Sequence, residues 1–348
     1  MYVGQRHIRH CMKHLHNNKL TITYIYGIAA AMLLISVGLG ILLGAAEFPA
    51  ADLMRVILKM DWNSPDAKIL WFVRLPRVLA SALCGAALAV SGAVIQGVLA
   101  NRLASPSIIG VNSGAGLAVT LCTAMGVAGG WQFSLFAFFG AFTAVMIVSF
   151  GAKKWGFSRG TVILMGVAMN SLLGAISDTV TIFVPDLGIM RNAFKIGDFS
   201  TATYSKILPA AVVILSALLV LYTFANELDV LTLGEENAKG LGMNTSLMRT
   251  LFLLLAAALA GTAVSIAGLL SFVGLLVPHA VRRIATGEAR HFLPLCALFG
   301  AGFVTLCDTF SRVIFAPYEL PVGIIMSFLG APFFLFVLIK GKGGHGRA

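Results

Sequence analysis

The sequence has few charged residues. Only 11% of its 348 residues are Asp, Glu, Lys or Arg, and 58% are hydrophobic. A soluble globular domain carries about 25% charged residues. The low charge and the mean hydropathy of +0.91 therefore exclude an ordinary water-soluble enzyme. They predict an all-α polytopic membrane protein, whose apolar side chains face lipid and neighbouring helices.

The sequence also lacks the motifs of an ATP-binding or intramembrane enzyme. Neither G-x-x-x-x-G-K-[ST] nor H-E-x-x-H occurs, and Asp178 and Asp308, the acids within or near the predicted spans, form no D-D-x-x-D motif. The chain therefore does not bind ATP in the usual way, and no catalytic residue is predicted. Energy for transport would come from a partner or from an ion gradient, and a gradient-driven secondary transporter of a small solute is the alternative.

Two further classes of protein are disfavoured. The net charge is +11, but the basic residues are dispersed among loops, so no nucleic-acid-binding face is predicted. The five cysteines show no C-x-x-C spacing, and most lie within apolar runs, which predicts free buried thiols rather than a disulfide framework. These cysteines are Cys11, Cys84, Cys122, Cys296 and Cys307.

Ten membrane spans are predicted from the apolar runs. Eight runs are each close to the length of one span: 24–44, 78–99, 107–126, 133–150, 161–183, 207–225, 292–308 and 321–339. The stretch Thr250–Val281 contains no charged residue and is too long for one straight span of about 20 residues. A reversal near Gly268 divides it into a long helix at 247–267 and a shorter one at 270–285.

The basic residues predict that both termini are cytoplasmic. Cytoplasmic loops concentrate Lys and Arg, and with ten spans most of the 25 Lys and Arg residues fall on the inner side. The predicted organisation is a basic cytoplasmic tail at 1–23, a permease domain at 24–340 and a cytoplasmic tail at 341–348. The first outer segment is an exception to this charge rule, because Arg74 and Arg77 are among its basic residues. Its positive charge therefore indicates a specific role.

Several motifs resemble one transporter family. RLPR at 74–77 precedes the small-residue string 85–97, which is followed by NRLASP at 101–106 and GVNSGA at 110–115. LGEENAKGLG at 233–242 and FVGLLVPH at 272–279 come later, followed by ELPVG and GAPFF. In this order they closely resemble the FecCD-like permeases of ATP-binding cassette (ABC) importers for iron–siderophore complexes, haem and vitamin B12. The resemblance covers about residues 24–340.

The resemblance implies a non-enzymatic subunit of an ATP-driven importer in the bacterial cytoplasmic membrane. Such a subunit forms the translocation pathway with a second permease subunit, in a homodimer or heterodimer. It also binds two cytoplasmic ATPase subunits, which hold the ATP, and an extracytoplasmic substrate-binding protein. Ferric siderophores are the favoured cargo, with haem and cobalamin as alternatives. No cofactor and no resident metal are implied for the permease itself.

Three arginines are implied to dock the binding protein. The resemblance gives this role to Arg74, Arg77 and Arg312, which would pair with acidic residues of that partner. Two structural alternatives stay open. Arg74 and Arg77 flank Leu-Pro at the start of a span, where snorkelling anchors are common, and Arg312 lies four residues after Asp308, which suits an ion pair on one helix face.

The segment 233–242 is implied to couple the permease to the ATPase. The resemblance places it in a cleft of that partner, with Gly234, Glu235, Ala238 and Gly242 as its coupling residues. The glycines permit tight helix ends, and an acid in the first turn suits the helix dipole. The alternative is a solvated loop helix.

The resemblance also places pathway and gate residues. Asn170 would lie on the wall of the pathway, and Ser158, Arg159 and Gly160 would form a turn at the inner gate. Arg159 and Gly160 depart from the small hydroxyl residues that are familiar there.

The histidines give weaker signals. Pro278 predicts an end or a kink of the helix, with His279 as its cap, rather than a proton relay. The tail residues His7, His10 and His14 have a helical spacing that could bind a transition metal, with His16 and Cys11 close by. A disordered basic tail is favoured instead.

Overall fold

The structure is a computed structural model that describes residues 3–44, 64–127, 130–154, 159–185, 187–285 and 287–342. Within these ranges it is helical and contains no strand. The first helices are α1 (Val3–Leu42), α2 (Pro65–Val98, with a π-helical segment at Leu70–Arg74), α3 (Val111–Ala124), α4 (Gly130–Lys154), α5 (Arg159–Phe183) and α6 (Leu187–Ile196). The others are α7 (Tyr204–Thr223), α8 (Ala225–Thr232), α9 (Glu235–Gly240), α10 (Thr245–Ala267), α11 (Val273–Ile284), α12 (Ala289–Val313) and α13 (Val322–Lys342).

The predicted spans coincide with helices. In the described residues, seven helices are long and apolar enough to cross a membrane, namely α2, α4, α5, α7, α10, α12 and the Ile22–Leu42 part of α1. The remaining three predicted spans fall on the shorter helices α3 and α11 and on α13. The all-helical membrane class is therefore confirmed, and the total of ten crossings stays a prediction. The backbone at 3–23, predicted as a disordered tail, is instead the start of α1.

Helix α2 lies at the centre of the bundle and touches its neighbours backbone to backbone. A Cβ on Gly85 would lie 2.2 Å from the carbonyl oxygen of Gly300 in α12, and one on Gly92 would lie 2.0 Å from that of Gly274 in α11. No side chain larger than hydrogen fits at these crossings. The small-residue string 85–97 is therefore a packing surface between helices.

Two helices begin inside the bundle. Helix α3 follows Gly110, whose φ of +102° is a left-handed conformation that favours glycine. Helix α11 begins at the level of Gly92 in α2, after a reversal in which Gly268 has a φ of +71°. The predicted reversal near Gly268 is thus confirmed. The two breaks meet, since a Cβ on Gly274 would lie 3.2 Å from Cδ of Pro106.

The bundle has two distinct ends. At one, which we call the Arg77 end, the start of α2 meets the C-terminal part of α12. At the other, the α9 end, α8 lies beside the first turn of α12, and α9 lies beside the first turn of α10. Tyr26 of α1 contacts His291 at the α9 end, and Phe333 of α13 contacts His279 there. The start of the first predicted span and the C-terminal half of the last one therefore lie at the same end of the bundle, as an even number of crossings requires.

Candidate functional sites

The three predicted docking arginines lie together at the Arg77 end, but they are buried and bound within the chain. Their exposed fractions are only 2–5%. Arg77 donates from Nε to Oδ1 of Asp308 at 3.0 Å and from Nη1 to Oε2 of Glu319 at 2.6 Å. Its Nη2 lies 3.6 Å from Oδ1 of Asp198. Arg77 thus joins α2 to α12 and to the loops that follow α6 and α12.

Arg312 and Arg74 hold the end of α1. Arg312 lies 3.2 Å from Oδ2 of Asp308 and donates to the carbonyl oxygens of Gly40 and Leu43. Arg74 donates from Nη1 to the carbonyl oxygens of Ile41 and Leu42, at 2.7 Å in each case. The ion pair between Asp308 and Arg312 that was one structural alternative is therefore present. The docking role of the three arginines stays a prediction.

The predicted coupling segment forms α9, a short helix between two glycine turns. Gly234 and Gly242 have φ values of +109° and +81°, which larger residues rarely adopt. Ala238 is buried. Glu235 accepts a hydrogen bond from Arg249 at 2.7 Å, and Lys239 lies 3.0 Å from its other oxygen. The hydrogen bond from Arg249, followed by that from Lys239, lowers the pKa of Glu235.

Helix α8 links this segment to the rest of the bundle. The backbone N–H of Ala289, at the start of α12, donates to both carboxylate oxygens of Asp229, at 3.0 and 2.8 Å. Burial raises the pKa of Asp229. Leu228 lies against Gly97 near the end of α2. Sequence reasoning missed Asp229, although an acid is a typical partner for a helix N-terminus.

The predicted pathway residue Asn170 binds the break that precedes α3. Its Nδ2 donates to the carbonyl oxygens of Ser107 and Ile108, at 2.9 and 3.2 Å, and its Oδ1 accepts from Ser113 at 2.6 Å. Asn170 also lines a cavity of about 330 Å³ between α3, α5 and α6. Of the predicted gate residues, Arg159 and Gly160 begin α5, and Ser158 lies outside the described residues.

Of the end or kink predicted at Pro278, the helix end and the capping role of His279 are wrong, whereas the helix predicted over 270–285 is present. Helix α11 continues through Pro278 and His279 to Ile284. Pro278 is the sixth residue of α11 and has no N–H to donate to the carbonyl oxygen of Gly274, which accepts a hydrogen bond from Gln96 instead. Gln96 of α2 fixes this region, since it donates to the carbonyl oxygen of Gly274 and accepts from Arg282.

The thiols behave as predicted where the structure describes them. Cys84, Cys122, Cys296 and Cys307 are free and buried. Cys11 and the tail histidines lie outside the described side chains, so the metal-binding alternative for the tail stays open.

Several known proteins are similar to this chain in sequence and in fold. The FecCD transport family matches residues 32–340. The Fe(3+)-citrate import system permease protein YfmD of Bacillus subtilis is 34% identical over 90% of this chain and 94% of its own length. The cobalamin import system permease protein BtuC of Halobacterium salinarum is 40% identical over 76% of this chain and 72% of its own.

A solved structure agrees with these relatives. It is described as an inward-facing conformation of a metal-chelate type ABC transporter. The likeness has a TM-score of 0.80 at 28% identity and covers 91% of this chain and 99% of the other. The chain therefore belongs to the FecCD transport family and is a membrane-embedded permease of a metal-chelate type ABC importer.

Proposed function

We propose that this chain forms half of an ATP-driven import pathway for ferric siderophores in a bacterial cytoplasmic membrane. The α9 end would face the cytoplasm and the Arg77 end the outside. The observation that carries the proposal is the α8–α9 unit. It has two glycine turns, exposed Leu233 and Leu241 beside it, and a charged link from Glu235 to α10. Such a rigid, exposed unit is suited to transmit the movement of a separate ATPase.

A second permease subunit would cover α5. Only 17% of the most apolar 18-residue window of Gly160–Phe183 is buried within the chain, against 78% of the corresponding window in α2. The exposed surface of α5 includes the polar residues Ser171 and Asp178. Polar groups on a membrane helix rarely face lipid. A dimer that encloses this surface would provide a polar pathway.

The substrate-binding protein would dock at the Arg77 end. Among the described residues at this end, Glu319 and Asp198 are partly exposed carboxylates that bind Arg77. Acidic residues of a binding protein would have to displace one of them to reach that guanidinium. Docking would then loosen the contact between α2 and the loop after α12. This step would connect arrival of the cargo to movement of the helices.

Reconstitution tests the proposal. The permease, its ATPase subunits and the binding protein would be placed in vesicles with ⁵⁵Fe-labelled ferric siderophore outside and ATP inside. We expect uptake that requires ATP hydrolysis and persists when ionophores abolish ion gradients. Uptake that does not require ATP but is abolished by the ionophores would favour the gradient-driven secondary transporter instead.

The cargo itself needs a separate measurement. The binding protein carries most of the selectivity, so titration of that partner with ferric siderophores, haem and cobalamin would rank them. We expect ferric siderophores to bind most tightly. Tighter binding of haem or cobalamin would replace the ferric siderophore in the proposal and leave the ATP-driven importer in place.

A further inference from the structure

Two cavities meet beside the short helix α6. The cavity of about 330 Å³ lies between α3, α5 and α6. A second one, of about 570 Å³, lies between α6, the segment after α10 and α13. Lys195 and Leu269 line both cavities. The side chain of Lys195 therefore lies where the two cavities adjoin.

The charges around this junction do not cancel. Arg191 forms an ion pair with Asp178 and donates from Nη1 to the hydroxyl of Thr181 at 3.1 Å. That pair neutralises the carboxylate of Asp178. Lys195 is exposed and forms no ion pair or hydrogen bond with the part of the chain that the structure describes. One positive charge is therefore left at the junction.

The cavity of about 330 Å³ is also lined by the amide of Asn112, which is free to bind a ligand. Among the described residues, the side chain of Asn112 has no hydrogen-bond partner, whereas Asn170 uses both ends of its amide within the chain. Arg191 and Lys195 lie four residues apart on α6, a spacing at which like charges repel and slightly destabilise a helix. Lys195 lies in the last turn of α6, where the helix dipole favours a cation, but no acceptor among the described residues takes its hydrogen bonds, so the ammonium group is available to a ligand in the cavity.

We propose that Lys195, assisted by Asn112, binds the anionic groups of the cargo as it crosses the pathway. The class of cargo is then a metal chelate with a net negative charge and outward-facing carboxylates. Lys195 would donate charge-assisted hydrogen bonds to them, and Asn112 would donate from its amide. This inference rests on the proposed function, because it names the chemistry of the molecule that the same pathway carries.

The test compares two ferric chelates in reconstituted vesicles with the full set of partners. The probes are an anionic ferric polycarboxylate and an uncharged ferric trihydroxamate, each labelled with ⁵⁵Fe. For Lys195→Gln, we expect transport of the anionic probe to fall about tenfold, which matches the loss of one charge-assisted hydrogen bond. Transport of the uncharged probe should not change, and Lys195→Arg should retain most transport of both.

Lys206→Gln is the matched control. Lys206 is at the start of α7, donates to the carbonyl oxygen of Thr201, and lines neither cavity. We expect both probes to enter at the wild-type rate in this variant. A second readout uses purified complex without binding protein, in which the anionic probe should raise the thermal unfolding temperature of the wild type but not of Lys195→Gln.

Three results would overturn the inference. They are a wild-type complex that carries only the uncharged probe, equal losses of both probes in Lys195→Gln, and no loss in that variant. A failure of the proposed function would look different, because the wild type would then take up neither probe in response to ATP.

Discussion

At the scale of the residue, the charge that matters most to the fold is Asp308. Its side chain is completely buried and binds both Arg77 and Arg312. Buried ion pairs add little net stability, but removal of one partner leaves an uncompensated charge and costs about 3–5 kcal/mol. The predicted docking arginines are thus first of all part of a buried structural network.

We expect Asp308→Asn to lower the free energy of unfolding by several kcal/mol, because two buried guanidinium groups would lose their shared carboxylate. Thermal unfolding of detergent-purified protein, followed by size-exclusion chromatography, measures this. Glu319→Gln is the control. Its side chain is 35% exposed, so water can solvate the group left behind. Equal melting temperatures for the two variants would contradict the structural role of Asp308.

The glycines of α2 give a second prediction at this scale. Gly92→Ala should destabilise the protein by about 1–3 kcal/mol or more, because the added Cβ would overlap the backbone of α11. Gly38→Ala in α1 is the matched control, since a Cβ there would have nothing within 4 Å. Heating curves of the two variants would separate a specific contact from a general intolerance of substitution. The prediction fails if Gly92→Ala melts with the wild type.

The sequence could single out the arginines of the Asp308 network, but it could not predict all of their ion-pair partners. The RLPR motif drew attention to Arg74 and Arg77, and the spacing of four residues indicated the pair between Asp308 and Arg312. Asp198 and Glu319 could not be predicted as partners. They lie in loops more than 100 positions along the chain from Arg77, and no periodic pattern connects such loops.

At the scale of the element, α9 depends on Glu235. We expect Glu235→Arg to uncouple ATP hydrolysis from uptake while the membrane fold stays intact, because Arg249 would then face a like charge at the α9 end. The measurement is the ratio of cargo taken up to ATP hydrolysed in vesicles. Glu236→Arg is the control, because Glu236 is exposed beside Glu235 and forms no ion pair with any residue that the structure describes. Unchanged coupling in both variants would contradict the role of α9.

The pH dependence of this contact follows from the direction of the pKa shift. The pKa of Glu235 is lowered in the folded protein, so its ion pairs are fully present above the ordinary value for Glu, about 4.3. Their contribution is lost as the pH falls through the lowered pKa. We therefore expect the coupling ratio to stay constant between about pH 6 and 8. If the coupling ratio instead changed with pH within this range, a group other than Glu235 would control the coupling.

Long apolar runs were the elements that the sequence predicted well. Each of the ten runs lies on a helix, because about 20 uninterrupted apolar residues have few other stable forms in a bilayer. Helix α6 was missed, since it has ten residues and carries Arg191 and Lys195. The run 107–126 predicted a full span, but α3 begins only at Val111, because a glycine with positive φ precedes it.

At the scale of the whole molecule, the exposed polar surface of α5 predicts a dimer of permease subunits. We expect Ser171→Cys in a Cys11→Ser background to cross-link two permease subunits with a short bifunctional maleimide. The four described cysteines are buried and should not react. Leu215→Cys is the control, because Leu215 lies exposed on the apolar helix α7, where lipid is the expected neighbour. Cross-links only in the Leu215 variant would move the interface away from α5.

The length of α2 has a consequence for the whole transporter. Its 34 residues extend about 51 Å at the rise of an α-helix, beyond the hydrocarbon core of about 30 Å. At Gly85 and Gly92 there is no side-chain layer that could be compressed. Helix α2 is therefore stiff along the segment from Arg77, about 18 Å from its N-terminus, to Gly97, which lies against α8 near its C-terminus. In the proposed orientation, a displacement of α8 on the cytoplasmic side would move the Arg77 end by a similar distance, so that opening at one face and closing at the other would be one movement.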